Sequence, residues 1–117
     1  MNIQIFGTAK CFDTKKAQRY FKERNIKFQF IDLAQKSMSK GEIESVKQSL
    51  GVKLEDLVNE KSKNYEKSFI KYLAGEQAKL DKILEDGTLL KTPIIRMGKT
   101  AVLGFDKEKI DKLLASE

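Results

Sequence analysis

The opening stretch of the chain switches between two hydrophobic periods, and this order constrains the fold more than any other feature. Residues 2–6 (NIQIF) form a β-branched and aromatic run that ends at Gly7, which predicts a strand. From Asp13 to Asn25 apolar residues recur at spacings of three and four, which predicts a helix. Residues 27–32 (KFQFID) return to a strand pattern. Because such crossovers are right-handed and join parallel strands, we expect two parallel strands connected by the helix.

The middle of the chain is predicted to be helical. Ser39 and Glu42 have the spacing of a capping box, and Gly51 marks the end of the helix that they begin. A short second helix is expected to end near Asn59. The segment 65–84 is helical again, divided in two by a central glycine and ended by a second one: Gly75 and Gly87.

The last third of the chain predicts an antiparallel hairpin and a helix. Residues 89–95 lead into a strand through the single proline, Pro93, and residues 100–103 form its partner across a Met-Gly-Lys turn. Asp106 is placed to cap the final helix. The order βαβ, several helices and then ββα predicts an α/β fold: a thioredoxin-like core with a mixed four-stranded sheet and a helical insertion. The chain is then a single domain, residues 1–117, with the core in 1–33 and 86–117 and the insertion in 34–85.

Composition excludes several classes of protein. The chain is 40% hydrophobic and 34% charged, which is typical of a globular domain rather than a disordered one. No apolar run approaches the ~18 residues of a membrane helix, and the first residues lack the pattern of a signal peptide. One cysteine and no histidine exclude an internal disulfide, a multi-thiolate zinc site and histidine-ligated metals. We therefore expect a cytoplasmic protein with no metal and no membrane contact.

The net charge of +6 comes mostly from lysines spread along the chain. This pattern fits a solvated, lysine-rich surface, and it also fits affinity for anions, for an acidic protein partner or for nucleic acid. Arginine forks dominate sequence-specific reading of DNA, and arginine is scarce here, which argues against direct DNA binding.

Cys11 is the residue with the most distinctive chemistry, because it lies where the first strand turns into the first helix. A thiolate at that place faces unpaired backbone N–H groups and the positive end of the helix dipole, which can lower a thiol pKa from ~8.5. Lys10, Lys15 and Lys16 add positive charge, and Asp13 offsets part of it. The alternative is that Cys11 is only a small residue in a turn.

Pro93 also has two interpretations. Thioredoxin-like folds place a cis proline opposite the active-site thiol, whereas an ordinary trans proline would simply begin a strand.

Two segments resemble the arsenate-reductase-like (ArsC/Spx) family. These are GTAKCFDTKKAQRYFKERNIKFQFIDL near the start and TPIIRMGKTAVLGFDKEKI near the end; Asn59-Glu60-Lys61-Ser62 with Tyr65 resembles the family's central Asn-x-x-Ser/Gly…Tyr stretch. By this resemblance Cys11 falls on the nucleophilic cysteine and Pro93 on the family's proline. In the same way Lys15-Lys16-Ala17 falls on Arg-Lys-Ala, Lys99 on the lysine of Gly-Lys, and Gly104-Phe105 on Gly-Phe.

Two positions depart from the family pattern. Thr14 replaces the second cysteine of the frequent CxxC, so an internal disulfide switch is excluded. Thr92 replaces the arginine that precedes the proline, and Arg96 is the nearest arginine in sequence. A lysine holds an oxyanion as a point charge and not as a bidentate fork, so the resemblance does not imply efficient arsenate reduction.

The resemblance implies two alternative functions, and a divergent relative that keeps the fold with little activity is a third possibility. The first is a monothiol oxidoreductase acting on a small oxyanion or an oxidised thiol, with Cys11 as nucleophile and glutathione or a glutaredoxin as resolving co-substrate and no bound cofactor. The second is a non-catalytic, Spx-like transcriptional regulator that binds RNA polymerase. For the first, Cys11 is the candidate catalytic residue, and the candidates for binding substrate or stabilising the thiolate are Lys10, Thr14, Lys15, Lys16, Thr92, Pro93 and Arg96.

Overall fold

A computed structural model describes residues 2–116 as four strands, five helices and three short 3₁₀ turns. The strands are β1 (Ile3–Gly7), β2 (Gln29–Asp32), β3 (Ile94–Met97) and β4 (Thr100–Leu103). The helices are α1 (Phe12–Glu23), α2 (Lys40–Leu50), α3 (Tyr65–Ser68), α4 (Glu76–Glu85) and α5 (Lys107–Ala115). The 3₁₀ turns are Leu54–Leu57, Ile70–Tyr72 and Gly87–Leu89. No helix in this described part of the chain has the length and apolar character needed to cross a membrane.

The strands form one mixed sheet in the order β2-β1-β3-β4. β1 and β2 are parallel, as the βαβ pattern predicts, with Phe6 opposite Ile31. β3 is antiparallel to both β1 and β4. The predicted α/β architecture with a thioredoxin-like core is therefore confirmed.

Side chains of β1 alternate between the two faces of the sheet, and each face has its own core. Ile3 and Ile5 pack with α1 and α5, whereas Phe6 packs with the helical insertion. The core on the α1 and α5 side contains Ile3, Ile5, Ala17, Tyr20, Phe21, Ile95, Val102, Ile110 and Leu113. A strand of period two that is apolar on both sides must be covered on both faces, so the insertion is needed to bury the second one.

The predicted helix ends are confirmed where a capping side chain or a glycine specifies them. The Ser39 hydroxyl accepts from the Glu42 N–H, and the Glu42 carboxylate accepts in return from the Ser39 N–H. Gly51 ends α2 in the left-handed conformation with φ 65°. The Asp106 carboxylate accepts from the Lys109 N–H at the start of α5.

The sequence pattern predicts two helices within residues 65–84, separated at Gly75. The break at Gly75 is confirmed, but the helix predicted before it is wrong. α3 has only four residues and ends at Phe69, whose φ of 55° is left-handed. The Ser68 hydroxyl donates to the Tyr65 carbonyl and accepts from the Ile70 N–H. These local bonds compete with the helical pattern, which is why the apolar spacing alone overestimates the helix.

Gly87 does not end α4, which stops at Glu85. A Cβ atom at Gly87 would lie 2.9 Å from the Leu33 carbonyl oxygen. The glycine therefore permits a close approach between the chain after β2 and the chain after α4, rather than terminating a helix.

Replacing Phe21 by alanine should strongly destabilise the protein, because this side chain is 0% exposed at the centre of the α1 and α5 core. We expect a loss of about 3–5 kcal/mol in the free energy of unfolding, measured by urea denaturation. Phe12→Ala is the matched control, since it removes the same side chain from the same helix at a position 78% exposed. Equal losses in the two variants would contradict the assigned core.

Candidate active site around Cys11

Cys11 is the N-cap residue of α1, directly after the loop that leaves β1. Its backbone is extended, with φ −80° and ψ 120°, and its side chain makes no capping hydrogen bond. The Cys11 N–H donates to the Thr8 carbonyl (3.2 Å), and the Cys11 carbonyl accepts from the Lys15 N–H (3.1 Å). The backbone groups thus fix the residue, while the partly exposed thiol is free for other partners.

Thr92 and Pro93 reach the thiol because β3 runs antiparallel to β1. Phe6 at the end of β1 pairs with Ile94 at the start of β3, so the residues just before β3 lie beside the residues just after β1. The Cys11 thiol donates to the Thr92 carbonyl oxygen over 3.7 Å, although the two residues are 81 positions apart. The Thr92–Pro93 peptide bond is cis, and Pro93 is buried.

Thr14 lies below the thiol on the first turn of α1 and is 0% exposed. Its hydroxyl oxygen has no hydrogen-bond partner among the residues that the structure describes. The side chain packs directly on Gly7, where a Cβ atom would come within 2.5 Å of both Thr14 Oγ1 and Cγ2. Gly7 therefore provides the space that Thr14 occupies next to Cys11.

These groups set the protonation of Cys11. Burial raises the pKa of the thiol. The hydroxyls of Thr14 and Thr92 and the N–H groups of Thr14 and Asp13 are positioned to donate to a thiolate, so they lower the pKa, which ends below the ordinary cysteine value. The protonated thiol donates to the Thr92 carbonyl, and the Thr14 hydroxyl is then without a partner. When the proton leaves, the sulfur becomes an acceptor for these donors, so the site favours the thiolate.

A cleft of about 630 Å³ opens beside the thiol and carries mixed charge. Its walls include three carboxylates, Glu55, Asp56 and Glu60, and two ammonium groups, Lys61 and Lys91. Cys11, Thr92, Val58, Asn59, Leu103 and Gly104 complete the lining. No arginine is among these lining residues, so an oxyanion in the cleft would meet lysine point charges.

The structure brings some of the predicted site residues to the thiol and leaves others apart. Lys10, Lys15 and Lys16 are exposed around the start of α1, in the predicted place. Lys10 lines a second groove, which shares Thr92 and Asn59 with the cleft. Arg96 lies elsewhere: it pairs with Gln4 at the far end of β1 and donates to the Gln4 side chain at 2.8 Å.

The acidic wall of the cleft was not predicted from the sequence. Glu55 and Asp56 lie in the turn Leu54–Leu57, more than forty positions from Cys11, and no local motif marks them as part of the site. Val58 forms an isolated β-bridge with Leu90, and this pairing places the turn Leu54–Leu57 near Thr92. The only sequence signal was the position of Asn59 and Lys61 in the central stretch of the resembled family.

Comparison with known proteins identifies relatives of this fold. The sequence model described as "ArsC family" matches residues 6–113. The uncharacterized protein YusI of Bacillus subtilis is 24% identical over 115 residues, which cover 96% of this chain and 98% of YusI. An ArsC-family-related protein of Bacteroides fragilis has a TM-score of 0.83 at 18% identity, covering 97% of this chain and 98% of its own. An arsenate reductase from Vibrio cholerae has a TM-score of 0.80 at 20% identity, covering 96% and 97%. At these identities the two structures show the common fold.

Replacing Thr14 by valine should raise the pKa of Cys11, because valine keeps the shape of threonine and removes the hydroxyl that stabilises the thiolate. Iodoacetamide alkylation measured against pH reports this pKa. Since only the thiolate reacts, the variant should be alkylated more slowly near neutral pH and equally fast at high pH.

Thr14→Ser, which retains the hydroxyl, is the control and should keep the lowered pKa. An unchanged alkylation profile in Thr14→Val would show that the hydroxyl does not act on the sulfur.

Proposed function

The chain belongs to the ArsC family, and we propose that it acts as a monothiol oxidoreductase in which the Cys11 thiolate is the nucleophile. The observation that carries the proposal is the lowered pKa of Cys11 at the N-cap of α1, beside an open cleft. A cysteine with a structural role alone needs neither thiolate-stabilising donors nor access to solvent. Polymerase binding without catalysis, the alternative that the resemblance implies, also does not require an activated thiol.

A glutathionylated thiol is the first substrate class. The Cys11 thiolate attacks the glutathione sulfur of the mixed disulfide, the S–S bond breaks, and the substrate leaves as a thiolate that takes a proton from solvent. Cys11 is then bonded to glutathione. A second glutathione, as thiolate, attacks this bond, regenerates Cys11 and leaves as oxidised glutathione. The substrate sulfur is thereby reduced from the disulfide to the thiol level, and the sulfur of the second glutathione is oxidised from the thiol to the disulfide level. The first glutathione sulfur remains in a disulfide throughout.

Arsenate, the substrate in the name of the Vibrio cholerae relative, is the second class. The Cys11 thiolate would displace one arsenate oxygen, which leaves as water after taking two protons, and form a sulfur–arsenic(V) bond. A glutathione thiolate then attacks the Cys11 sulfur, and the bonding pair moves to arsenic, which leaves as arsenite. This route ends at the same Cys11–glutathione disulfide.

Both routes need a thiol from outside the chain, because Cys11 is its only cysteine. Free glutathione or a glutaredoxin meets this requirement, since either can attack the Cys11–glutathione disulfide and carry the oxidised sulfur away.

The charge of the cleft favours the disulfide over the oxyanion. Three carboxylates oppose two ammonium groups around the thiol, so a dianion gains little attraction there. A mixed disulfide is attacked at a neutral sulfur and needs no anion-binding fork.

The decisive experiment compares wild type and Cys11→Ser with glutathione and glutathione reductase, following oxidation of NADPH. Glutaredoxin is left out, because it would itself attack the mixed disulfide. We expect wild type to reduce the cysteine–glutathione mixed disulfide and Cys11→Ser to leave only the uncatalysed rate. For wild type, the kcat/KM for arsenate should be lower than that for the mixed disulfide by at least about tenfold. This is the order of magnitude lost with one charge-assisted hydrogen bond.

Thr92→Val serves as a graded control, because it removes a donor to the sulfur and retains the nucleophile. Full activity of Cys11→Ser, or no wild-type turnover of either substrate, would contradict the proposed function.

A further inference from the structure

The exposed side of α1 begins with an aromatic residue directly after the nucleophile. Phe12 is 78% exposed, whereas Phe21 on the same helix is fully buried. The exposed Phe12 side chain gains little free energy of burial in the isolated protein, so a partner that covers it would add that gain on binding. Nothing in the fold requires an aromatic residue at Phe12, since it belongs to neither core.

Basic side chains continue from Phe12 along the same side of the helix. Lys15, Arg19 and Lys22 follow at spacings of three, four and three, which place them in one row, and all three are exposed. The Lys15 ammonium lies 5.7 Å from the centre of the Phe12 ring, within the range of a cation–π contact. We call Phe12, Lys15, Arg19 and Lys22 the α1 stripe.

We infer that the α1 stripe is the docking surface for an acidic protein substrate, whose disulfide is then reduced at Cys11. This inference rests on the proposed function and names its substrate class. An aromatic anchor with charges at its rim is the usual composition of a protein-binding surface. The cations select a partner of opposite charge, and Phe12 would become buried when the partner binds.

The length and position of the stripe favour a protein over a small substrate. The helix rises roughly 15 Å from Phe12 to Lys22. A glutathione molecule bound to the Cys11 sulfur does not need a contact surface of that length. None of the stripe residues lines the cleft. A small mixed disulfide therefore reaches Cys11 from the cleft without touching the stripe, whereas a protein substrate contacts both.

The test compares two glutathionylated substrates: serum albumin, an acidic protein, and free cysteine. We expect Phe12→Ala to lower kcat/KM for the albumin roughly tenfold, as loss of an aromatic anchor does, and to leave the cysteine substrate unchanged. Arg19→Gln/Lys22→Gln should lower kcat/KM for the albumin, reduce its dependence on salt, and spare the small substrate.

Matched controls lie on the opposite face of the sheet, in the helical insertion. Tyr72→Ala removes an aromatic side chain that is 77% exposed and also has a lysine ammonium near its ring, at 5.8 Å. Lys67→Gln/Lys71→Gln removes two exposed charges there. Alkylation by iodoacetamide checks that the Cys11 thiol itself is unchanged in Phe12→Ala.

Several outcomes would overturn the inference. These are equal losses for both substrates in Phe12→Ala, equal losses in the insertion controls, or binding of single-stranded DNA that depends on Phe12. Failure to reduce the small substrate would instead count against the proposed function. The α1 stripe can still be tested in that event by measuring how tightly glutathionylated albumin binds to the unreactive Cys11→Ser variant. Equal dissociation constants for Cys11→Ser and Cys11→Ser/Phe12→Ala would refute the docking surface.

Discussion

The antiparallel pairing of β1 with β3 is the interaction on which the site depends. It places the chain just after β1 beside the chain just before β3, and so brings Cys11 to Thr92 across 81 positions of sequence. The same central pair divides the two cores, with α1 and α5 on one face and the insertion on the other. A shift of this register by one residue would exchange the faces of every β3 side chain and separate the thiol from its partner.

The parts of the fold that were predictable from sequence are those determined by local chemistry. The βαβ opening follows from a change of hydrophobic period, and the ends of α2 follow from Ser39, Glu42 and Gly51, each of which satisfies backbone groups within its own turn. The break at Phe69 was missed, because its cause is a pair of bonds from the Ser68 hydroxyl that no apolar pattern encodes. Gly87 was misread for a similar reason, since its neighbour Leu33 is distant in sequence.

The candidate site divides in the same way. Cys11 and its lysines were predictable, because a cysteine at a strand-to-helix junction has a recognisable environment. The carboxylates of the cleft were not, because a loop in the insertion supplies them through the bridge between Val58 and Leu90. Arg96 is close to Pro93 in sequence but not to the thiol. It lies three residues further along β3, where its side chain donates to Gln4. The thiolate is stabilised mainly by neutral donors, hydroxyls and backbone N–H groups, rather than by an adjacent cation.

The contact between Gly7 and Thr14 has a consequence for how this scaffold can change. The pocket over Gly7 holds a side chain with two γ atoms, and a cysteine has only one, so a thiol at that position would fit without displacing the strand. It would then stand one helical turn from Cys11 on the same side of α1. A single substitution, Thr14→Cys, would thus give this backbone a second thiol near Cys11. A residue larger than glycine at position 7 would collide with the side chain at position 14 and leave no space for that thiol. The residues that can stand beside the nucleophile at position 14 are therefore limited by Gly7, the last residue of β1.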